Sequence, residues 1–377
     1  MKIGIDKISM DVSNKYISIE ELALKRGVEV DKFLKGIGQN QMSVVSKNQD
    51  IITLAYMAAK DIVDDFDREH IDLIIFATES SVDESKAASI YLKNYLGIND
   101  YCKCIEMKQA CFSATAALDF AKAHVSMNEN SRVLVIASDI SRYGINTSGE
   151  VTQGAGAIAM IVSKGPRILE FNNDEVAYTE DIMDFWRPTY SKYAFVDGKF
   201  SVERYLGCLD KVWQRYRQKY SLTELKAICF HVPYTKLARK GLENITVNEN
   251  IMEEFIHSIN FNKRVGNIYT GSLYLSLLSL LSNTETLKAG DNIGMYSYGS
   301  GAVAEFYSLK LVKGYKEYLN IDLFKEKLDL RKKVSIEEYE TMFFEESTDV
   351  ENNSEGLEFY LKNILDHKRI YELRKEQ

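Results

Sequence analysis

The sequence predicts a layered α/β fold made of two similar βαβαβ halves, and three observations carry that expectation. Strand-like apolar runs alternate with helix-like runs along most of the 377 residues, the pattern of sheets with helices on their faces. No flexible linker divides the chain. Short segments also recur in the same order. QGAGAIAMIV around Gly154 returns as YGSGAVAEFY around Gly299, 145 residues on; the strand ending at Glu79 is echoed by KAICF before His231, 152 on; and Cys111 ahead of its helix is echoed by Asn267, 156 on. Offsets that drift by a few residues suit a duplicated unit with loop insertions. They place the halves at 1–165 and 166–377, the second with a helical C-terminal extension.

Each element has its own signal. MKIGIDKISMD alternates apolar and polar residues and is interrupted by charges, so it reads as a first strand and not a signal peptide. Ser18 with Glu21 forms a capping-box signature for a helix before Gly27, and Asp50 opens an amphipathic helix to about Phe66. IDLIIFAT from Ile71 is a buried strand, CKCIEMK another, and RVLVIASD from Arg132 a central one. Between the last two, CFSATAALDFAKAHV is an alanine-rich helix former, narrow enough to lie between sheets. FEESTDVENNSEG, from Phe344 to Gly356, is polar and acidic and reads as a mobile loop before a last helix.

Composition excludes several roles. A hydrophobic content of 45% allows a large core. The balance of 47 basic against 55 acidic residues, net −8, argues against nucleic acid or an anionic membrane as the main partner. LYLSLLSLL from Leu273 is too short to span a bilayer. Five cysteines without regular spacing do not form a disulfide framework and suit a reducing compartment, so a cytoplasmic protein is expected.

Four residues stand where α/β folds place chemistry, at strand ends and helix starts: Glu79, Cys111, His231 and Asn267. Cys111 opens a helix, whose positive end favours thiolate; it also reads as a buried structural cysteine. Cys102 and Cys104 alternate on one strand face, and with Cys111 they match no common zinc spacing, so no metal site is expected. Glu79 follows an apolar run, where desolvation would raise its pKa towards proton-transfer range, or it is a solvated loop residue beside Asp83 and Glu84. His231, alone among five histidines, ends a strand, as a catalytic or a core histidine. The glycine-rich stretches at Gly154 and Tyr298 let backbone amides approach a ligand closely, as an oxyanion hole requires.

Taken in order, the segments GIGQNQM, ATESSVDESKAA, EMKQACFSATAAL, QGAGAIAM, DFWRP with VDG, CFHVPYTK, RVGNIYTGSLYL and YSYGSGAVAEF resemble the 3-hydroxy-3-methylglutaryl-CoA synthase family of thiolase-like condensing enzymes, over nearly the whole chain. The resemblance implies a thiolase-like fold in α-β-α-β-α layers and a catalytic triad of Glu79, Cys111 and His231. It implies substrate binding by Thr152, Ser201, Lys240, Asn267 and Ser300, with Lys236 nearby in the same basic stretch. Acetyl-CoA and acetoacetyl-CoA are the implied substrates, without a resident cofactor, in a homodimer of the mevalonate route to isoprenoids. Val151, Tyr190, Ser191, Ala194 and Glu29 depart from the family pattern, the loop changes bearing on acyl-pocket shape. Rival readings are a ketoacyl-ACP synthase III, a polyketide β-branching synthase working on carrier-protein acyl groups, and a non-catalytic acyl-CoA-binding scaffold.

Overall fold

A computed structural model describes residues 2–128, 130–245, 249–344 and 356–374. Ten strands join in one mixed sheet: β1 Ile3–Val12, β2 Ile71–Ala77, β3 Lys103–Met107, β4 Arg132–Ile140, β5 Ala155–Lys164, β6 Leu169–Phe171, β7 Val176–Thr179, β8 Leu225–Phe230, β9 Asn292–Gly299 and β10 Val303–Leu311. Their spatial order is β8-β9-β10-β6-β1-β5-β4-β2-β3, with β7 also paired to β10.

The internal echo in sequence is a repeat in topology. On one side β2 runs parallel to β4, β4 antiparallel to β5, and β5 antiparallel to β1. On the other, β8 is parallel to β9, β9 antiparallel to β10, and β10 antiparallel to β6. The two sets meet where Gly4 and Ile5 pair with Glu170 and Leu169, so the ladder is continuous across both.

Hydrophobic clusters define the layers. The helices α1 Ile51–Ala59, α2 Ser113–Met127, α3 Gly198–Lys219, α4 Thr235–Asn244 and α5 Ser272–Asn283 pack at three levels. Ala114, Ala117 and Ala121 of α2 share one core with Leu273–Leu281 of α5 and with strands of both sets, so these two helices form the middle layer. Small side chains on α2 let it approach; the Thr115 hydroxyl bonds Tyr274 of α5 at 2.8 Å. The clusters built on α1 and on α3 with α4 cover the outer faces. Strands buried on both faces read as continuous apolar runs, which explains why β1 is buried along nearly its whole length.

Three expectations are corrected. The helix opened by Asp50 stops at Ala59, because Asp64 caps a new helix, Asp65–His70, by accepting from Asp67 N at 2.9 Å. Among the described residues after Gly356 there is no last helix: the chain forms an antiparallel hairpin, β11 Phe359–Leu365 and β12 Lys368–Leu373. Asp366 and His367 turn it with φ of 48° and 62°, as a two-residue hairpin turn demands, and Phe359, Leu361 and Tyr371 pack inward with the α1 cluster. The C-terminal extension is therefore helical only through Ile321–Asp329 and Ile336–Phe344. The acidic loop expected at 344–356 lies, from 345 to 355, outside the described residues.

The hairpin is tied to α1 at its N-cap. Asp50 accepts from Ile52 N and Thr53 N at 3.0 Å, and its other oxygen accepts from Tyr371 Oη at 2.6 Å and Arg369 Nη1 at 3.0 Å. Asp50→Ala removes the cap and leaves buried donors unpaired, so urea unfolding is expected to show a loss of about 2–3 kcal/mol.

Candidate active site

Every active candidate lies at the ends of parallel strands or before the central helices. Glu79 follows β2, Cys111 lies between β3 and α2, His231 follows β8, and Asn267 precedes α5. The two glycine stretches hold these loops together. A Cβ on Gly299 would lie 2.6 Å from Phe112 N and 2.7 Å from Gln109 O; one on Gly154 would lie 2.7 Å from Val265 O and 2.9 Å from Asn267 N. Gly299 at the end of β9 and Gly154 just before β5 each let their own set seat against the pre-helix loop of the other set, which only a residue lacking a side chain permits.

Cys111 Sγ donates to Glu79 Oε1 at 2.9 Å. Burial, reinforced by the Asp139 carboxylate, pushes the Glu79 carboxyl up to about 8. Burial pushes the Cys111 thiol well above its ordinary value too, with the Glu79 charge next in effect. The thiolate expected from the helix N-terminus is therefore not the resting form. A helix end contributes about 0.3–1 kcal/mol, and desolvation beside a carboxylate outweighs it. The geometry instead sets the Glu79 carboxyl to accept the thiol's hydrogen bond.

Asp139, at the end of β4, sets the Glu79 loop. Its Oδ1 accepts from Thr78 Oγ1 at 2.8 Å, Glu79 N at 2.7 Å and Ser80 Oγ at 2.9 Å; its Oδ2 accepts from Thr270 Oγ1 at 2.6 Å and Thr270 N at 3.1 Å. Burial raises Asp139 to about 6 against the pull of these bonds. Asp184 does the same opposite: it accepts from Tyr298 Oη at 2.7 Å, Ser201 Oγ at 3.3 Å and Gly301 N at 3.0 Å, which joins α3 to the Ser300 loop.

The His231 ring is buried, and desolvation pushes the imidazole down to about 3, so it is neutral. Its Nδ1 has no hydrogen-bond partner among the described residues, while its backbone is held by Tyr205 Oη to His231 O at 2.8 Å and His231 N to Tyr296 O at 2.7 Å. Asn267 Oδ1 accepts from Tyr269 N at 2.9 Å and Ser272 Oγ at 2.8 Å, which orients the amide so that Nδ2 donates to Tyr143 Oη at 2.9 Å.

A cavity of about 270 Å³ brings together Cys111, His231, Asn267, Thr152, Ser201 and Ser300. Glu79 stands behind Cys111, reached through the Sγ hydrogen bond. Lys236 and Lys240 do not line the cavity; they lie on α4, whose Leu237 does, with Lys240 exposed and Arg239 paired to Glu243 at 2.8 Å. The departing residues do not line it either. Val151 is buried in a separate core with Ile17 and Tyr339, and Tyr190 is 88% exposed. Sequence reading missed Tyr143, Phe185 and Tyr269, which line the cavity as an edge-to-face cluster with centroids 5.8–5.9 Å apart. It also missed Asp139 and Asp184. A polar residue ending the apolar run RVLVIAS was the available signal for Asp139, the same signal that marked Glu79.

Comparison with known proteins gives this geometry its context. The model of the hydroxymethylglutaryl-coenzyme A synthase N-terminal region matches residues 1–167, and that of the C-terminal region matches 171–255 and 247–374. The chain belongs to the hydroxymethylglutaryl-CoA synthase family. The hydroxymethylglutaryl-CoA synthase of Enterococcus faecalis is 46% identical over 98% of this chain and 100% of its own. The crystal structure of an HMG-CoA synthase complexed with CoA superposes with a TM-score of 0.96 at 46% identity, covering 99% of this chain and 100% of that one. MvaS in complex with 3-hydroxy-3-methylglutaryl coenzyme A superposes at 0.91 with 31% identity, covering 99% of each. The fold is thus the thiolase-like one of this family.

A family member that carries an ionisable carboxyl behind a thiol stores a stability cost at that site. Folded Glu79 keeps its proton up to about 8, whereas unfolded glutamate loses it near 4.5. Between those values the folded state binds more protons, so this group's contribution falls as pH rises. Glu79→Gln removes the dependence. Thermal unfolding at pH about 5 and about 8.5 is expected to show the variant gaining roughly 3 °C more, relative to the native chain, at the higher pH. An equal difference at both would show that Glu79 titrates normally.

Proposed function

We propose that the protein condenses acetyl-CoA with acetoacetyl-CoA to 3-hydroxy-3-methylglutaryl-CoA, an early step of the mevalonate route to isoprenoids, through an acetyl group carried on Cys111. The observation that carries the reading is the 2.9 Å bond from Cys111 Sγ to Glu79 Oε1, with the carboxyl held near 8. The halves 1–165 and 166–377 divide the work, the first supplying Glu79 and Cys111 and the second His231 and Asn267.

Glu79 takes the Cys111 proton, the thiolate attacks the acetyl carbonyl, and the proton goes to the departing CoA thiolate. Glu79, again a carboxylate, removes a proton from the acetyl methyl, and the enolate attacks the ketone carbon of acetoacetyl-CoA. A neutral His231 donates an imidazole N–H to the oxygen that gains charge; as that proton passes to the alkoxide, the ring regains one from the Glu79 carboxylic acid by way of solvent, so both groups return to their starting forms and an imidazole held near 3 acts as a hydrogen-bond donor rather than a standing cation. Asn267 positions that acceptor. Backbone amides of Cys111 and of the Ser300 loop hold the thioester oxygen, one such donor being worth about 3 kcal/mol of barrier. Water then hydrolyses the thioester, freeing Cys111 and the new carboxylate.

Thr152 and Ser201 contact substrate within the cavity they line. Lys236 and Lys240, outside it, meet the phosphates of coenzyme A at its mouth. No resident cofactor takes part; CoA thioesters are substrates. The protein works in the cytoplasm. It does so as a homodimer, and β3 supports the dimer: it is one of the sheet's two edge strands, with Ile105 41% and neighbouring Tyr101 95% exposed, a row of backbone groups that a second copy can continue.

The test is incubation with both thioesters, following free CoA, acetoacetyl-CoA and product mass. CoA release matched by formation of 3-hydroxy-3-methylglutaryl-CoA is the expected result; consumption of neither thioester would overturn the reading.

A further inference from the structure

Behind the Glu79 loop, away from Cys111, lies a second cavity of about 380 Å³ that the condensation does not use. Among the described residues, Arg142, Arg187 and Arg369 line it with one carboxylate, Asp50, on a chain whose net charge is −8. That carboxylate is already engaged by Arg369 at 3.0 Å. Arg187 donates to the Glu79 carbonyl, a neutral group, and Arg142 stacks over the Phe343 ring at 5.4 Å with no carboxylate partner among the described residues. Arg142 and Arg187 keep part of their surface in solvent, so the positive potential they set up across the cavity draws in an anion.

The polar lining points the same way. Ser46, only 7% exposed, lines the cavity with its hydroxyl unpartnered, a buried group that calls for a ligand atom. Gln49 has its amide oxygen taken by Ser13 Oγ at 3.0 Å, which leaves its NH2 group to the cavity. The remaining wall is apolar, with Val82, Ile140, Leu361 and Ile364.

We propose that this cavity is a binding site for a small phosphate ester: the guanidinium groups and Ser46 take the phosphate oxygens, and the apolar wall takes a short hydrocarbon portion. Arginine forks match phosphate oxygens two at a time, and the volume suits a small metabolite and not a coenzyme. The inference stands independently of the condensation reaction, since it needs none of Cys111, His231 or Asn267.

Calorimetric titration of the protein with inorganic phosphate and with n-butyl phosphate tests it. Both are expected to bind, butyl phosphate roughly fivefold or more tightly, because its chain leaves water. Arg142→Ala is expected to weaken butyl phosphate binding about tenfold and Ser46→Ala by about threefold, the latter without a change of charge or of thermal stability. Lys240→Ala, on the coenzyme A side, leaves it unchanged. Absence of binding overturns the proposal, as does binding lost in Lys240→Ala but retained in both Arg142→Ala and Ser46→Ala, which would assign the phosphate to the mouth of the first cavity.

Discussion

Cys111→Ala is expected to abolish acetyl transfer and with it the whole condensation, a fall of at least about 10⁴-fold in kcat, because among the described residues no other thiol lines the cavity and its hydroxyls have no base bonded to them as Cys111 has Glu79. The neighbouring residues fix why this cysteine and not another does so. Cys104 lies on the edge strand β3 and Cys102 just before it, and Cys208 and Cys229 are buried in the cores. Only Cys111 both lines the cavity and has a carboxyl base at 2.9 Å. Radiolabelled acetyl-CoA followed by peptide mapping gives the measurement: label on Cys111 in the native chain, none in the variant, with unchanged circular dichroism. Label elsewhere in the native chain would remove Cys111 from the mechanism. Helix α2 tolerates the change, since the residue precedes it and alanine needs less room.

Glu79→Gln is expected to act on both half-reactions, and more severely on the second. General base catalysis is worth about 10²–10⁴-fold, and acetyl methyl deprotonation has no alternative base in contact with the reacting atom. Acetylation of Cys111 retains the intrinsic reactivity of a thiol and slows less. Rapid-quench measurement should therefore find acetylated Cys111 accumulating in the variant while product formation falls to background. The pH profile carries a second signature. Glu79 works as a carboxylate, so native kcat/KM should climb as pH rises through about 8. The thiol and carboxyl titrate as a unit, and the limb belongs to the pair. Glu79→Gln removes that limb; a native rate that is flat between pH about 6 and about 9 would contradict the raised carboxyl. Conversely, a variant that condenses at the native rate would assign the base elsewhere, and Asp139 is too fully committed to Thr78, Ser80 and Thr270 to take the role.

His231 shows how burial redirects a role read from residue type. A histidine at a strand end suggests a proton donor that titrates near neutrality, but burial holds the enclosed ring neutral, its Nδ1 without a partner among the described residues. Its chemistry becomes that of a neutral hydrogen-bond donor, which stabilises charge only where charge develops.

Much of this protein was legible from residues alone. Apolar periodicity located β2, β4, β8 and the α5 run, because strands and helices buried on both faces must be apolar throughout and end where polarity returns. The echo of Gly154 in Gly299 announced a repeat, because duplicated close approaches need duplicated glycines. The positions of Glu79, Cys111, His231 and Asn267 followed from where strands stop. Other features depend on groups far apart in the chain, and no local pattern encodes them. Burial and the Glu79 carboxylate decided that Cys111 rests as a thiol, although its place before a helix argued for thiolate. Packing of Phe359 and Tyr371 against α1 decided that the last segment is a hairpin, although its composition allowed a helix. The partners of Asp139 and Asp184, the aromatic wall of Tyr143, Phe185 and Tyr269, and the exclusion of Lys236 and Lys240 from the cavity likewise appeared only in three dimensions. Sequence sets which groups are present and how they alternate; solvent exclusion and the distances between separate loops, both properties of the packed chain, set their protonation and their work.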